Sequence, residues 1–244
     1  MFQQHTASLA LLRRVKELNP DIITMMGGSN CETVMGKTTH ECFPWVDFAV
    51  SGEADELISP LCRQILDNGT EIPAADLPEG VYGPVHRKTA YPTITGGDGY
   101  PRAVVDSIDG LPFPDYDDFF EELKSNIYRS SIISTLPIET SRGCWWGERS
   151  HCTFCGLNGS GMNYRSKSPE AVIAEIEHLS DKHNITRFEA VDNILDMKYF
   201  ETVLPYLEKS EKTFNIFYET KANLKSHHVE QLRRSGIHWI QPGI

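Results

Sequence analysis

Apolar positions in the first part of the chain alternate between a helical and a strand period. Leu11, Val15 and Leu18 predict the apolar face of a helix, which the following Asn-Pro pair would end. The predicted elements are, in order, a helix over 6–18, a strand over 22–26, a helical or irregular piece over 31–41, a strand over 46–50 and a helix over 55–67. This alternation predicts parallel strands and an α/β fold. Two strands are too few for an independent domain, so residues 1–70 are expected to be part of one.

The composition changes after this region. Residues 71–131 are rich in proline and glycine and include the runs T-G-G-D-G-Y-P and L-P-F-P-D-Y-D-D-F-F. This pattern predicts a linker with short extended pieces and one acidic helix near 115–125.

Strand and helix patterns alternate again over residues 132–244. Ser168-Pro169 is a helix N-cap followed by proline at the first helical position. The predicted elements are strands over 132–138, 188–191, 214–218 and 237–240, and helices over 169–183, 196–208 and 225–234. We expect the N-terminal part of a (β/α) barrel, whose chemistry lies at the carboxyl ends of its strands. Four strands cannot close such a barrel.

Composition and charge narrow the class of protein. The net charge is −11 and the pI is about 5.3, which argues against a general nucleic-acid binder. No apolar run approaches the ~18 residues that a membrane span needs, and the N-terminus does not have the pattern of a signal peptide. Six cysteines, three of them clustered, do not suggest a secreted disulfide scaffold. These features predict a cytoplasmic protein with one metal site.

The cluster consists of Cys144, Cys152 and Cys155, a C-x7-C-x2-C pattern on the loop after the predicted strand 132–138. Three thiolates can hold three irons of a four-iron cluster and leave the fourth iron open to a substrate. The alternative is a structural zinc site with His151 as a fourth ligand. A single loop without a second ligand pair, at the catalytic end of a βα array, favours the cluster.

Residues 142–159 resemble R-G-C-W-W-G-x-R-x-x-C-T-F-C-G-L-N-G, a pattern of cobalamin-binding radical SAM proteins that mature ribosomally made peptides. The resemblance implies a [4Fe–4S] cluster on the three cysteines. Its open iron would bind S-adenosylmethionine, and reduction would cleave this cofactor to a 5′-deoxyadenosyl radical. The commonest spacing in radical SAM enzymes is C-x3-C-x2-C. This chain departs from it with seven intervening residues, W-W-G-E-R-S-H, between the first two cysteines.

The same resemblance suggests further cofactor contacts. Phe154 would pack near the adenine. Asp192 and Asn193 end the second predicted barrel strand, where a carboxylate could bind the methionyl ammonium; the alternative is a helix N-cap. Glu219 and Lys221 end the third strand and would contact the ribose or carboxylate, or else form a solvated strand end.

Gly27-Gly28 follows the first predicted strand, where a tight turn would explain it. In context, residues 1–70 resemble the C-terminal half of a Rossmann-like cobalamin-binding domain. There the glycines would let the nucleotide tail of cobalamin lie against the backbone. The Asp-x-His-x-x-Gly segment of that family is not present, and His5 does not lie in such a motif. We therefore expect a chain truncated at both ends. The remaining cysteines are interpreted as packing residues: Cys31, Cys42 and Cys62.

The resemblance implies a cobalamin-dependent radical SAM C-methyltransferase. Its partners would be a precursor peptide substrate and a reductant such as flavodoxin or ferredoxin. Two alternatives remain: another radical reaction, such as a cyclisation or rearrangement, and an inactive fragment or peptide-binding remnant.

Overall fold

The computed structural model describes residues 2–94, 99–153, 155–156 and 162–243. The chain divides into two compact units, residues 1–106 and residues 107–244, called here the first and second units. This division differs from the predicted boundaries at 70 and 131. None of the helices in the described ranges has the length and apolar character needed to cross a membrane.

The first unit is built on a three-stranded sheet. Its strands are β1 (Met25–Met26), β2 (Phe48–Val50) and β3 (Val81–Tyr82), in the order β1-β2-β3. The pairing of β1 with β2 is parallel, as predicted, and that of β2 with β3 is antiparallel. The helices are α1 (Phe2–Leu18), α2 (Val34–Cys42), α3 (Ile58–Asn68) and α4 (Val85–Lys88), with 3₁₀ turns at Ser29–Cys31 and Ala74–Asp76.

The strand β3 was missed because it lies in the predicted linker and is only two residues long. Tyr82 is nevertheless fully buried, and its hydroxyl donates to the Pro101 carbonyl oxygen at 3.2 Å. Gly80 enters the strand with φ 83°, and a Cβ atom there would lie 2.6 Å from the Ser51 carbonyl oxygen. Only glycine fits that approach. Part of the predicted linker thus belongs to the first unit.

The face of α1 was predicted wrongly. Leu9 is buried and Leu12 packs beside it, whereas Leu11 and Leu18 are 64% and 69% exposed. The spacing of the apolar residues correctly predicted a helix. It did not predict which side of the helix is buried, because two neighbouring rows of apolar residues along α1 have the same spacing. The anchoring contact is tertiary: the Trp45 indole N–H donates to the Leu9 carbonyl oxygen at 2.9 Å.

The cysteines of the first unit divide in two groups. Cys31 is buried, as predicted, and burial raises the pKa of its thiol to about 11. Cys42 and Cys62 are exposed, so the prediction that they are packing residues is wrong. Both lie on helix surfaces that turn away from the apolar contacts of α2 and α3. The predicted helix over 55–67 is confirmed as α3, on which Leu61 and Ile65 are buried.

The second unit is built on a parallel four-stranded sheet. Its strands are β4 (Leu136–Ile138), β7 (Arg187–Ala190), β8 (Asn215–Lys221) and β9 (Ile237–Gly243), in that order. A separate antiparallel ribbon pairs β5 (Ser141–Arg142) with β6 (Arg165–Ser166). The helices are α5 (Asp117–Ser125), α6 (Pro169–His183), α7 (Val203–Lys209) and α8 (Ser226–Arg234), with 3₁₀ turns at Arg129–Ser131 and Met197–Phe200. The α/β class with a parallel sheet is confirmed.

Local signals explain where two helices begin. The Ser168 hydroxyl accepts from the Ala171 N–H at 3.2 Å, so the predicted cap of α6 is confirmed. The predicted helix 196–208 is instead a 3₁₀ turn followed by α7. Pro205 has no N–H and must lie in the first turn of a helix, so the α-helix begins only at Val203. Met197, within this 3₁₀ turn, is 37% exposed, whereas Leu204 and Leu207 of α7 are buried.

Candidate functional site

The cysteine loop leaves the sheet at the carboxyl end of β4 and is closed at its neck by the β5–β6 ribbon. Gly143 stands at this neck with φ 78°. A Cβ atom there would lie 2.3 Å from the Asn163 carbonyl oxygen, so a side chain would force the two chain segments apart. The Cys144 N–H donates to the Met162 carbonyl oxygen at 3.3 Å. The first cysteine therefore lies where the outgoing and returning segments meet.

The three cysteines of the loop are free thiols with partial exposure. The Gly147 N–H donates to the Cys144 sulfur at 3.3 Å. Across the described ranges, no three His, Cys, Asp or Glu side chains converge closely enough to hold a metal ion. His151 is exposed, so the alternative zinc site is not assembled either. The donors suit a metal–sulfur centre in kind, but this arrangement does not gather the sulfurs. Phe154 lies outside the described residues.

Asp192 is fully buried at the carboxyl end of β7. Its carboxylate accepts from the Thr140 N–H at 2.8 Å and from the Ser141 hydroxyl at 2.8 Å, and also from the Thr140 hydroxyl. Burial raises the pKa of Asp192 to about 6 against these hydrogen bonds. The helix N-cap is a different residue, Asp196, which accepts from the Lys198 N–H at 2.8 Å. The geometry favours a structural role for Asp192, which joins the ends of β4 and β7.

Asn193 and Trp145 connect the cysteine loop to the segment after β7. The Asn193 amide donates to the Gly143 carbonyl oxygen at 3.3 Å. The Trp145 indole N–H donates to the Leu195 carbonyl oxygen at 3.1 Å. The Leu195 N–H in turn donates to the Glu219 carbonyl oxygen at 2.8 Å. The sequence alone gave no indication of a role for Trp145 beyond its place in the motif.

Glu219 and Lys221 lie on the same face of β8, because residues of a strand alternate between its two faces. Ile216, Tyr218 and Thr220 are buried on the opposite face. Partial burial raises the pKa of the Glu219 carboxyl, to which no described side chain donates. The Lys221 ammonium lies over the ring of Trp146 in the cysteine loop. The structure thus brings Lys221 to the loop.

Two ion pairs near the loop were not predicted. Arg142 binds Glu139 through two contacts of 2.8 and 2.9 Å, so this guanidinium is engaged beside the first cysteine. Lys167 and Glu175 form a pair in which the side chains are only 5% and 2% exposed. The Lys167–Glu175 pair joins the end of the β5–β6 ribbon to α6, and such a pair leaves no periodic signal in a sequence.

Gly27 and Gly28 border a cavity of about 420 Å³ in the first unit. Gly28 has φ 80°, and a Cβ atom there would meet nothing within 4 Å, so its lack of a side chain leaves the cavity open. Its carbonyl oxygen accepts from the Cys31 N–H at 2.8 Å, so it also serves a tight turn. His5 lines the same cavity, and its buried Nδ1 has no hydrogen-bond partner among the described residues. Sequence reasoning had set His5 aside because it lies in no motif.

Two curated proteins are similar to this chain. It is 26% identical over 183 residues to the anaerobic magnesium-protoporphyrin IX monomethyl ester cyclase of Rubrivivax gelatinosus, a match covering 74% of this chain and 30% of the relative. It is 27% identical over 186 residues to the protein of the same name from Cereibacter sphaeroides, covering 74% and 27%. No family model matches the chain.

Among solved structures, the chain is similar to the cobalamin-dependent S-adenosylmethionine radical enzyme OxsB. The form with aqua-cobalamin and S-adenosylmethionine gives a TM-score of 0.60 at 18% identity, covering 95% of this chain and 31% of OxsB. The form with aqua-cobalamin gives 0.59 at 16%, covering 95% and 32%. At these identities the likeness supports the fold. The chain spans about a third of the length of the proteins that it matches.

Proposed function

We propose that the chain is part of a cobalamin-dependent radical SAM enzyme, in which Cys144, Cys152 and Cys155 hold a [4Fe–4S] cluster. The observation that carries the proposal is the position of the three free thiols. They lie on the loop at the carboxyl end of β4, the first strand of a parallel sheet whose fold is that of OxsB. When bound, the cluster would supply the electron that cleaves S-adenosylmethionine to a 5′-deoxyadenosyl radical.

The chain's own residues have separate tasks in this proposal. The Gly147 N–H donates to the Cys144 sulfur and helps to orient this sulfur within the loop. Glu219, to whose carboxylate no described side chain donates, is the candidate acceptor for the ribose hydroxyls or the ammonium of S-adenosylmethionine. Cobalamin would supply the methyl carrier, and its nucleotide tail would lie in the cavity beside Gly27 and Gly28.

Anaerobic reconstitution tests the cluster. The parent chain should take up about four irons, one thiolate per ligated iron. Cys144→Ala should lose the bound iron and its absorbance. Cys62→Ala is the matched control, since this thiol is exposed on a helix of the first unit. Equal iron content in the parent and in Cys144→Ala would exclude the proposed site.

The finer reaction class has two candidates. The W-W-G run between the first two cysteines supports C-methylation of a ribosomal precursor peptide, with flavodoxin or ferredoxin as reductant. The similarity to two cyclases supports a radical cyclisation instead. Mass spectrometry of the product formed by the full-length protein separates them, because methylation adds one CH₂ and cyclisation leaves the carbon count unchanged. A chain that binds iron but does not cleave S-adenosylmethionine would instead indicate a non-catalytic remnant.

A further inference from the structure

The loop holds its three cysteines unequally. The two residues that flank Cys144 are both hydrogen-bonded to the segment after β7. The Gly143 carbonyl oxygen accepts from the Asn193 amide, and the Trp145 indole N–H donates to the Leu195 carbonyl oxygen. The two bonds run in opposite directions, one from the segment to the loop and one from the loop to the segment. The Asn193 bond holds the loop backbone itself, at Gly143, whereas the Trp145 bond holds the loop through a side chain. Together the two bonds tie the chain on both sides of Cys144.

The segment that receives these bonds is itself firmly placed. Ile194 and Leu195 are 5% and 2% exposed and belong to the packed interior of the second unit. The Leu195 N–H donates to the Glu219 carbonyl oxygen of β8 at 2.8 Å. A hydrogen bond to such a segment transmits the rigidity of the sheet to the loop.

The other two cysteines have no comparable support. In the described residues 151–153 and 155–156, the only hydrogen bond is local, from the Cys155 N–H to the Cys152 carbonyl oxygen at 3.0 Å. Seven residues separate Cys144 from Cys152. The entropic cost of bringing the three sulfurs together is therefore larger than it would be with a three-residue spacing. Fixing one sulfur in advance offsets part of that cost.

We propose that Trp145 is a positioning residue whose indole N–H, through its bond to the Leu195 carbonyl oxygen, holds Cys144 as the fixed ligand among the three cysteines. This inference rests on the proposed cluster function, but its first test does not require a cluster. Trp146 is the matched comparison: it is the adjacent tryptophan, and its indole N–H makes no hydrogen bond to any described residue. Its ring face lies against Lys221 instead, and phenylalanine would keep that contact.

Site-resolved alkylation of the reduced, iron-free protein tests the inference. Loss of one hydrogen bond shifts a local opening equilibrium by about threefold to tenfold. Trp145→Phe should therefore raise the alkylation rate of Cys144 by about that factor, while Cys152 and Cys155 keep their parent rates. Trp146→Phe should leave all three rates unchanged, with exposed Cys42 as internal standard. A parent-like Cys144 rate in Trp145→Phe would overturn the inference.

A second measurement separates positioning from general stability. Both variants should melt within about 3 °C of the parent. After reconstitution, the electron paramagnetic resonance signal of the reduced cluster should become heterogeneous in Trp145→Phe and stay parent-like in Trp146→Phe. If Trp145→Phe does not fold, Asn193→Ala removes the other bond and should accelerate Cys144 alkylation in the same way. Failure of the parent to bind iron would reject the proposed function, whereas the alkylation rates would still decide the role of Trp145.

Discussion

The buried carboxylate of Asp192 makes the stability of the second unit depend on pH in a predictable direction. Burial raises its pKa from 3.8 to about 6, although Thr140 and Ser141 donate to it. The folded protein therefore binds this proton more tightly than the unfolded chain does. Protonation adds stability that is fully present below pH 3.8 and is lost as the pH rises through about 6.

The size of the effect follows from the shift. At about 1.4 kcal/mol per pK unit, the full contribution is about 3 kcal/mol, of which about 1.4 kcal/mol is present at about pH 5 and almost none at about pH 7.5. Asp192→Asn removes the titration and keeps the shape. The amide oxygen can accept from the Thr140 N–H, and the amide N–H can donate to the hydroxyl of Ser141. We expect near-parental stability at about pH 7.5 and a deficit of about 1.4 kcal/mol at about pH 5.

Urea unfolding followed by tryptophan fluorescence measures this difference. A Trp45→Phe background leaves Trp145, Trp146 and Trp239, all of which lie in the second unit. Asp118→Asn is the control, because Asp118 is exposed on the first turn of α5. The difference in free energy of unfolding between the parent and Asp118→Asn should be the same at both pH values. A constant difference between the parent and Asp192→Asn across this range would refute the reasoning about the buried carboxylate.

Two further substitutions test other parts of the molecule. Lys167→Met leaves the buried carboxylate of Glu175 without its partner and should destabilise the second unit by about 3–5 kcal/mol, whereas the double change to Met and Leu should recover most of this in urea unfolding. Gly28→Ala should weaken cobalamin binding in an absorbance titration, because Gly28 lines the cavity and a side chain is strained at its φ of 80°. Gly69→Ala is its control, with a positive φ and equally empty surroundings away from the cavity. Equal binding by the two glycine variants would remove the cavity from the proposal.

Signals that lie close together in sequence predicted much of the fold. The Ser168-Pro169 pair predicted the start of α6. The apolar periodicity predicted the helices and the order of four parallel strands. Contacts between residues that are far apart in the sequence could not be predicted from it. Asp192 meets Thr140 and Ser141 across 52 and 51 residues, so no local pattern shows that its carboxylate is already engaged. The sequence suggested a cofactor contact or a helix N-cap for Asp192 and could not show its junction with Thr140 and Ser141; the cofactor contact stays a prediction.

The candidate site divides in the same way. The motif singled out the three cysteines, and the strand pattern placed Glu219 and Lys221 at the end of β8, as the structure has them. Whether they meet the loop depends on tertiary packing: Lys221 reaches Trp146, while the Glu219 side chain has no described donor. His5 reaches the cavity because α1 packs beside β1. The residue types of these two elements do not predict that packing.

The position of β9 at the border of the parallel sheet has a consequence for handling the protein. It is seven residues long, pairs with β8 on one side, and carries Trp239 with 67% exposure. A long border strand with few charges is a template for pairing with another chain, and natural proteins usually protect such borders with lysine, proline or a covering element. Pro242 offers this protection only near its end. These 244 residues in isolation should therefore aggregate at high concentration, and Trp239→Lys should reduce that aggregation.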